Sequence, residues 1–323
     1  MRYRELAGLE PTPSQLVLGT GVFGSQLPEN EAFALLDAFA AGGGNFLDTA
    51  HVYAAWLPNG AGASERTIGK WLKRTGARER IVVGTKGAHI DMKTGASRMR
   101  ADCLAQDLKE SLDRLQSPYI DLYWLHRDDP AVPVGEIMSW LNEHLSAGKL
   151  RALGCSNWAP ARIEEANRYA ASNGLNGFCA SQIGWALAWP QPAFDPKSLT
   201  RYVDAETEAF HRRTGFTQVA YSSQANGFFS GRYGPGLPPE AQKPGVLKKY
   251  GSPRNYKRLA AATALAVRRG ASANQVALAS LLELPFPFFA IVGPKNVEQL
   301  RDSLAAADLR LSAGELAGLE CDG

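Results

Sequence analysis

The sequence predicts a single (β/α)8 barrel spanning residues 1–323, with long loops over one mouth. Three observations carry this. Eight short apolar runs recur along the chain, and helical patterns separate them. The runs end near positions 19, 48, 86, 126, 156, 182, 222 and 293, mostly 26 to 40 residues apart, which is the length of one strand plus one helix. No GxGxxG follows the first run, which counts against the competing open, doubly wound sheet.

The expected strands are 16–19, 45–48, 81–86, 120–126, 150–156, 178–182, 218–222 and 289–293. They are rich in Val, Ile, Leu and aromatics and mostly do not alternate, the pattern of strands buried on both faces. Ser64 is placed to cap a helix over 65–73. Over 102–115 the leucines at 104, 108, 112 and 115 share one helical face. Pro160 suits a first helical turn. Asn296 with Gln299, and Ser312 with Glu315, have capping-box spacing. Between 222 and 293 the gap is too long for one unit. Its segment 232–249, rich in Gly, Pro and Lys, reads as a large loop over the site, followed by at least one extra helix.

Composition narrows the function. Thirty-five basic residues against 32 acidic ones give a net charge of +3, which by itself makes no nucleic-acid-binding surface. No apolar run reaches the length of a membrane span. The first residues show no apolar signal region, so no secretory signal is expected. Cys103, Cys155, Cys179 and Cys321 lie far apart, which suits a reducing, cytoplasmic location. The five histidines and four cysteines show no metal-ligand spacing, so no metal site is expected.

In a parallel barrel the reacting groups sit at the carboxyl ends of the strands. There the sequence places Asp48, Lys86 and His126, with Tyr53 in the loop after Asp48. A free phenol, with a pKa near 10, is a weak acid at neutral pH. A nearby ammonium is expected to lower that value. Asp48 would hold Lys86 charged, and His126 would hydrogen-bond a substrate oxygen. Such a group donates a proton to an oxygen becoming an alkoxide.

These residues resemble the catalytic tetrad of the aldo-keto reductases, NAD(P)(H)-dependent enzymes on a (β/α)8 barrel. Asp48 and Tyr53 stand in Leu47-Asp48-Thr49-Ala50-His51-Val52-Tyr53, Lys86 in Thr85-Lys86-Gly87, and His126 in Leu125-His126-Arg127. The resemblance runs along nearly the whole chain. It implies that Ser156, Asn157 and Gln182 bond the nicotinamide carboxamide and that Tyr221 stacks on the ring. It also implies that Ser222, Gln224, Gly227 and Arg232 lie along the pyrophosphate, with Thr20, Gly21 and Asp48 among the cofactor contacts. Gly293, Lys295, Gln299 and Ser303 resemble the adenosine-phosphate motif, and a helix N-terminus there suits an anion. The chain departs from the family pattern at Ser223 and Gln224, where relatives often have Pro and Leu, and at Ser303, where many have Asn. Gln299 replaces an Arg that clamps the 2′-phosphate in some branches, and Lys295 could supply that charge. NADP(H) is therefore the expected cofactor, with NAD(H) the alternative.

The implied reaction is reduction of an aldehyde or ketone, or its reverse, with Tyr53 as proton donor. Trp56, Tyr53, His126 and Arg127 are the expected substrate contacts. With Asp128 and the polar loop 59–63 nearby, Trp56 and Arg127 suggest a hydroxylated, sugar-like compound, although Arg127-Asp128-Asp129 reads rather more readily as a salt-bridged loop. The expected partner is a small carbonyl or alcohol, with no nucleic acid and no membrane. A monomer is the default and a small homo-oligomer the alternative. His51 and His89 read as solvated loop residues. Trp185 and Trp189 either stack on substrate or pack. Two rival functions stay open: a class I aldolase-type lyase with Lys86 forming a Schiff base, and a non-catalytic NADP(H)-sensing regulatory subunit.

Overall fold

Each of the eight apolar runs forms a strand in the computed structural model, which describes residues 1–320. The first half alternates regularly: β1 (Leu16–Gly19), α1 (Glu29–Ala41), β2 (Phe46–Asp48), α2 (Ala63–Thr75), β3 (Val82–Gly87), α3 (Ala101–Leu115), β4 (Ile120–Leu125), α4 (Val134–Ser146), β5 (Leu150–Ser156), α5 (Pro160–Ser172) and β6 (Ala180–Gln182). A two-stranded hairpin follows, β7 (Phe194–Asp195) and β8 (Thr200–Arg201), then α6 (Ala205–Thr214) and β9 (Thr217–Ala220). The chain ends with α7 (Pro244–Tyr250), α8 (Pro253–Arg269), α9 (Ala273–Leu282), β10 (Phe288–Val292), α10 (Val297–Ala305) and α11 (Ala313–Glu320). Eight parallel strands close in the order β1-β10-β9-β6-β5-β4-β3-β2. No described helix is long and apolar enough to cross a membrane.

The interior is a packed core. Val17, Phe46, Val82, Leu122, Trp124, Val219 and Phe289 fill it, with Leu6 and Leu9. The last two come from the segment before β1, which doubles back through a Tyr3–Ser14 antiparallel bridge. Trp124 needs space, and Gly154 on the neighbouring strand provides it: a Cβ there would overlap the indole ring. The outer layer is equally apolar. Leu104, Leu108 and Leu115 of α3 are buried, and Leu112 packs partly against the same cluster.

Local expectations fared unevenly. Pro160 does open α5, and Ser312 and Glu315 do form a reciprocal cap. Asn296 accepts from the Gln299 amide, but the Gln299 side chain bonds the Lys295 amide instead of closing the box. Ser64 is no cap. Gly62, in the left-handed region at φ 70°, takes that position, and Ser64 sits inside α2. Its hydroxyl is drawn inward to the Thr20 carbonyl at 2.8 Å, because the β1 and β2 ends need a buried partner there. The seventh barrel strand ends at Ala220, two residues before the expected position. The segment 232–249 is not all loop, since α7 begins at Pro244. The β7–β8 hairpin is an element that the sequence did not announce.

Candidate active site

The carboxyl ends of β2, β3 and β4 bring Asp48, Lys86 and His126 to one mouth, and a turn after β2 folds Tyr53 over them. Lys86 is 1% exposed and spends all three ammonium donors: on Asp48 Oδ2 at 2.6 Å, the Thr49 carbonyl at 2.7 Å and the Tyr53 hydroxyl at 3.0 Å. The other Asp48 oxygen accepts from Gln182 Nε2 at 2.9 Å. Burial pulls the Lys86 pKa down, but the Asp48 carboxylate and the Tyr53 oxygen outweigh it and raise the value.

The expectation of an acidified phenol is not met. Burial raises the Tyr53 pKa above its ordinary value, and Lys86 only partly offsets this. Although the residue as a whole keeps intermediate exposure, desolvation of a phenolate at the mouth is the larger effect. The Tyr53 hydroxyl is therefore protonated at neutral pH.

His126 packs edge-on to Tyr53, with ring centroids 6.1 Å apart. Burial first, and then the Arg127 charge, lower its pKa well below the ordinary value, so the imidazole is neutral. Its Nδ1 is buried with no described partner. Nε2 is neither enclosed nor bonded, so it is the nitrogen open to the mouth.

The loop carrying Tyr53 is braced from behind. Arg114 of α3 donates to Glu110, to the buried Glu65 and to the His51 carbonyl, while the His51 amide bonds the Lys86 carbonyl at 3.0 Å. His51 Nε2 lies 2.9 Å from Glu110. It is thus part of this brace and not a solvated loop residue. His89 is not solvated either: its ring stands edge-on to His126 at 4.7 Å. Sequence spacing held no signal for the Arg114–Glu65 brace or for the His89–His126 contact, since both depend on how loops fold back.

The remaining expected residues fall in two groups. Beside the tetrad, Ser156 donates to the Gln182 carbonyl. Asn157, at φ 66°, gives its amide nitrogen to the His126 carbonyl and Ser156 Oγ, and its oxygen accepts from the Arg201 amide and the Tyr221 hydroxyl. Gln182 Oε1 is left open. Thr20 bonds the Asp48 carbonyl, and Gly21 lies against the Tyr53 ring. Arg127 is buried and donates to the carbonyls of His126 and Ser198, the latter in the β7–β8 hairpin. Asp128 faces Arg162 at 3.5 Å, and burial pushes its pKa up to about 6. The charges behind the sugar-like expectation are thus turned toward the protein. Trp56 stays 52% exposed on the loop after β2. Trp185 packs among His211, Phe286 and Phe288, and Trp189 under Arg254 and Arg258.

The second group lies beyond β9 and β10. Ser222 and Gly227 have positive φ. Gln224 bonds Ser303 and accepts from the Gly293 amide. A Cβ at Gly293 would meet nothing within 4 Å, so this side of the cleft is open. Arg232 bonds only Ser230, and neither it nor Lys295 has a carboxylate partner among the described residues. Lys295 precedes the N-terminus of α10, capped by Asn296. An open backbone cradle with two uncompensated cations suits the phosphates of a dinucleotide.

The comparisons agree with this geometry. The model of the aldo/keto reductase family matches residues 15–320. The chain is 30% identical to norsolorinic acid reductase stcV of Emericella nidulans over 98% of its own length and 79% of that protein's. It is 31% identical to the uncharacterized oxidoreductase YrpG of Bacillus subtilis, over 96% and 92% respectively. Protein tas of Escherichia coli is 27% identical over 99% and 97%. The match covers every barrel strand and all four residues at the mouth, and the chain belongs to the aldo/keto reductase family.

Proposed function

We propose that the protein reduces an aldehyde or ketone to the alcohol, or runs the reverse, with NADP(H) as cofactor and Tyr53 as proton donor. The observation that carries this reading is the bond from a fully committed Lys86 to the Tyr53 hydroxyl, beside a neutral His126. A bound nicotinamide dinucleotide would supply the hydride to the carbonyl carbon. Tyr53 gives its proton to the carbonyl oxygen as that oxygen gains charge. Lys86 stabilises the phenolate left behind, and Asp48 keeps Lys86 charged and aimed. His126 Nε2 orients the same oxygen. Such general acid catalysis is typically worth about 10²–10⁴-fold.

On the cofactor side, Gln182 Oε1 and Ser156 would hold the carboxamide and Tyr221 would stack on the ring. The Asn157 side chain, already filled by protein partners, shapes this wall through His126 and Tyr221. Ser222, Gln224, Gly227 and Arg232 would follow the pyrophosphate. Gly293, Lys295, Gln299 and Ser303 would take the adenosine end, where Lys295 favours the 2′-phosphate of NADP(H). The Schiff-base alternative is opposed by Lys86 itself: its three bonds and raised pKa keep it an ammonium, which is not nucleophilic.

Tryptophan fluorescence titration with NADPH and with NADH, backed by calorimetry, tests the reading. Tighter NADPH binding that weakens about tenfold in Lys295→Ala is the expected result. Binding of neither nucleotide refutes it, and NADPH binding with no turnover across a broad carbonyl panel would point to the regulatory subunit.

A further inference from the structure

His89 reaches the mouth by an unusual path. Ala88 before it holds φ 54°, a left-handed conformation that a residue with a Cβ adopts only under constraint. The constraint is visible. The Ala88 amide donates to Asp107 Oδ2 at 3.0 Å, and Asp107 is buried and paired with Arg98. Gly87 on the other side has no room for a Cβ against the Tyr123 hydroxyl. The strained turn throws His89 back onto His126, ring edge to ring face at 4.7 Å and 75°.

The protonation of His89 follows from its bonds. Nδ1 lies 2.9 Å from the Ile90 carbonyl, which can only accept, so Nδ1 carries the proton. Burial and the Arg127 charge lower the pKa, so the ring is neutral and Nε2 is a lone pair. That Nε2 has no described protein partner and is not enclosed. Two neighbouring imidazoles thus meet edge to face, and with its proton on Nε2 His126 would present a donor beside the acceptor of His89. Nearby, Arg127 and Asn157 are already bonded by the protein, and Asp128 faces Arg162 at 3.5 Å.

Building on the reductase reading, we propose that His89 is a substrate-recognition residue, whose Nε2 accepts from a hydroxyl on the carbon next to the carbonyl that His126 holds. The class selected is the 2-hydroxy aldehydes and ketones, and the vicinal diols in the reverse direction. A site built to bond a hydroxyl disfavours the analogue lacking it, because the site's polar group is left unpaired. One such bond between neutral groups corresponds to about three- to tenfold in kcat/KM.

Steady-state reduction of lactaldehyde and propanal, which differ only in the 2-hydroxyl, by the full chain with saturating NADPH tests this. The wild-type ratio of kcat/KM, lactaldehyde over propanal, should be about three to ten. It should fall to near one in His89→Phe and recover in part in His89→Asn, which restores an acceptor. Because the readout is a ratio, a general loss of activity in either variant does not affect it. A wild-type ratio near one, or a ratio unchanged in both variants, overturns the recognition role while propanal turnover leaves the reductase reading intact. Turnover of neither aldehyde, nor of any carbonyl in a broad panel, overturns both.

Discussion

Gln224 Nε2 donates to Ser303 Oγ at 3.0 Å across 79 residues of sequence. The same Gln224 accepts from the Gly293 amide and reaches Asn274 of α9. One side chain thus ties the loop after β9 to the loop after β10 and to α9 and α10. The brace preforms the proposed phosphate side, so less ordering cost falls on binding. Gln224→Leu is expected to weaken NADPH binding about three- to tenfold by calorimetry. Adding Ser303→Asn, which offers an amide on the α10 side, should recover part of that loss. Unchanged affinity in Gln224→Leu would separate the brace from cofactor binding.

Tyr53→Phe removes the proposed proton donor and leaves the ring. Reduction should fall about 10²–10⁴-fold in kcat, with the NADPH dissociation constant within about threefold of wild type, an interval well under one hydrogen bond to a charged group. Stopped-flow reduction and fluorescence titration on one preparation give both values. Retained turnover would remove Tyr53 from the donor role.

Asp48→Asn leaves the Lys86 ammonium buried without its carboxylate. Breaking one side of a buried pair costs about 3–5 kcal/mol, which should appear as a lower urea midpoint. The double variant Asp48→Asn/Lys86→Met removes both charges and should regain most of the loss. If the double variant is no more stable than the single one, the penalty does not come from the stranded charge.

The pH behaviour follows from burial. The Tyr53 pKa is raised above its ordinary value near 10 and that of His126 lies well below 6.5. Both stay in their working states from pH 6.5 to 9.5, where kcat for reduction should be flat. A rate limb near pH 6.5 would show that His126 titrates normally. His211, packed on Phe286 and bonded to the Phe216 carbonyl, has its pKa lowered to about 4. Between about 6.5 and 4 the unfolded chain therefore binds a proton that the folded chain does not. The stability that depends on neutral His211 is present above 6.5 and lost as pH falls, by about 3 kcal/mol at pH 4. Urea midpoints at pH 7.5 and 4.5 should converge less in wild type than in His211→Phe, and equal losses would refute the assignment.

Much of this was legible in the chain. Apolar runs at strand-plus-helix spacing specified the barrel, because a strand buried on both faces must be apolar throughout and a parallel neighbour needs a crossover of fixed length. The positions of Asp48, Lys86 and His126 at strand ends followed from the same reading, since a barrel gathers its strand ends at one mouth. Tyr53 was placed by motif. Local caps were read correctly where the cap uses only neighbours, as at Ser312 and Glu315. They were misread where tertiary partners competed, as at Ser64.

What only the tertiary structure decided are relations between distant segments and the balance of opposing effects. The ammonium beside Tyr53 suggested an acidic phenol, but desolvation outweighs it, and burial is a property of the packed mouth. Arg127 and Asp128 read either as substrate contacts or as a salt-bridged loop, and it is the β7–β8 hairpin and Arg162 that they face. His89 looked solvated until the Ala88 turn set it on His126. Strand periodicity is a local signal that each segment carries alone. Loop conformation and side-chain pairing across the mouth are set by residues tens to hundreds of positions away, and those exist as neighbours only once the barrel has closed.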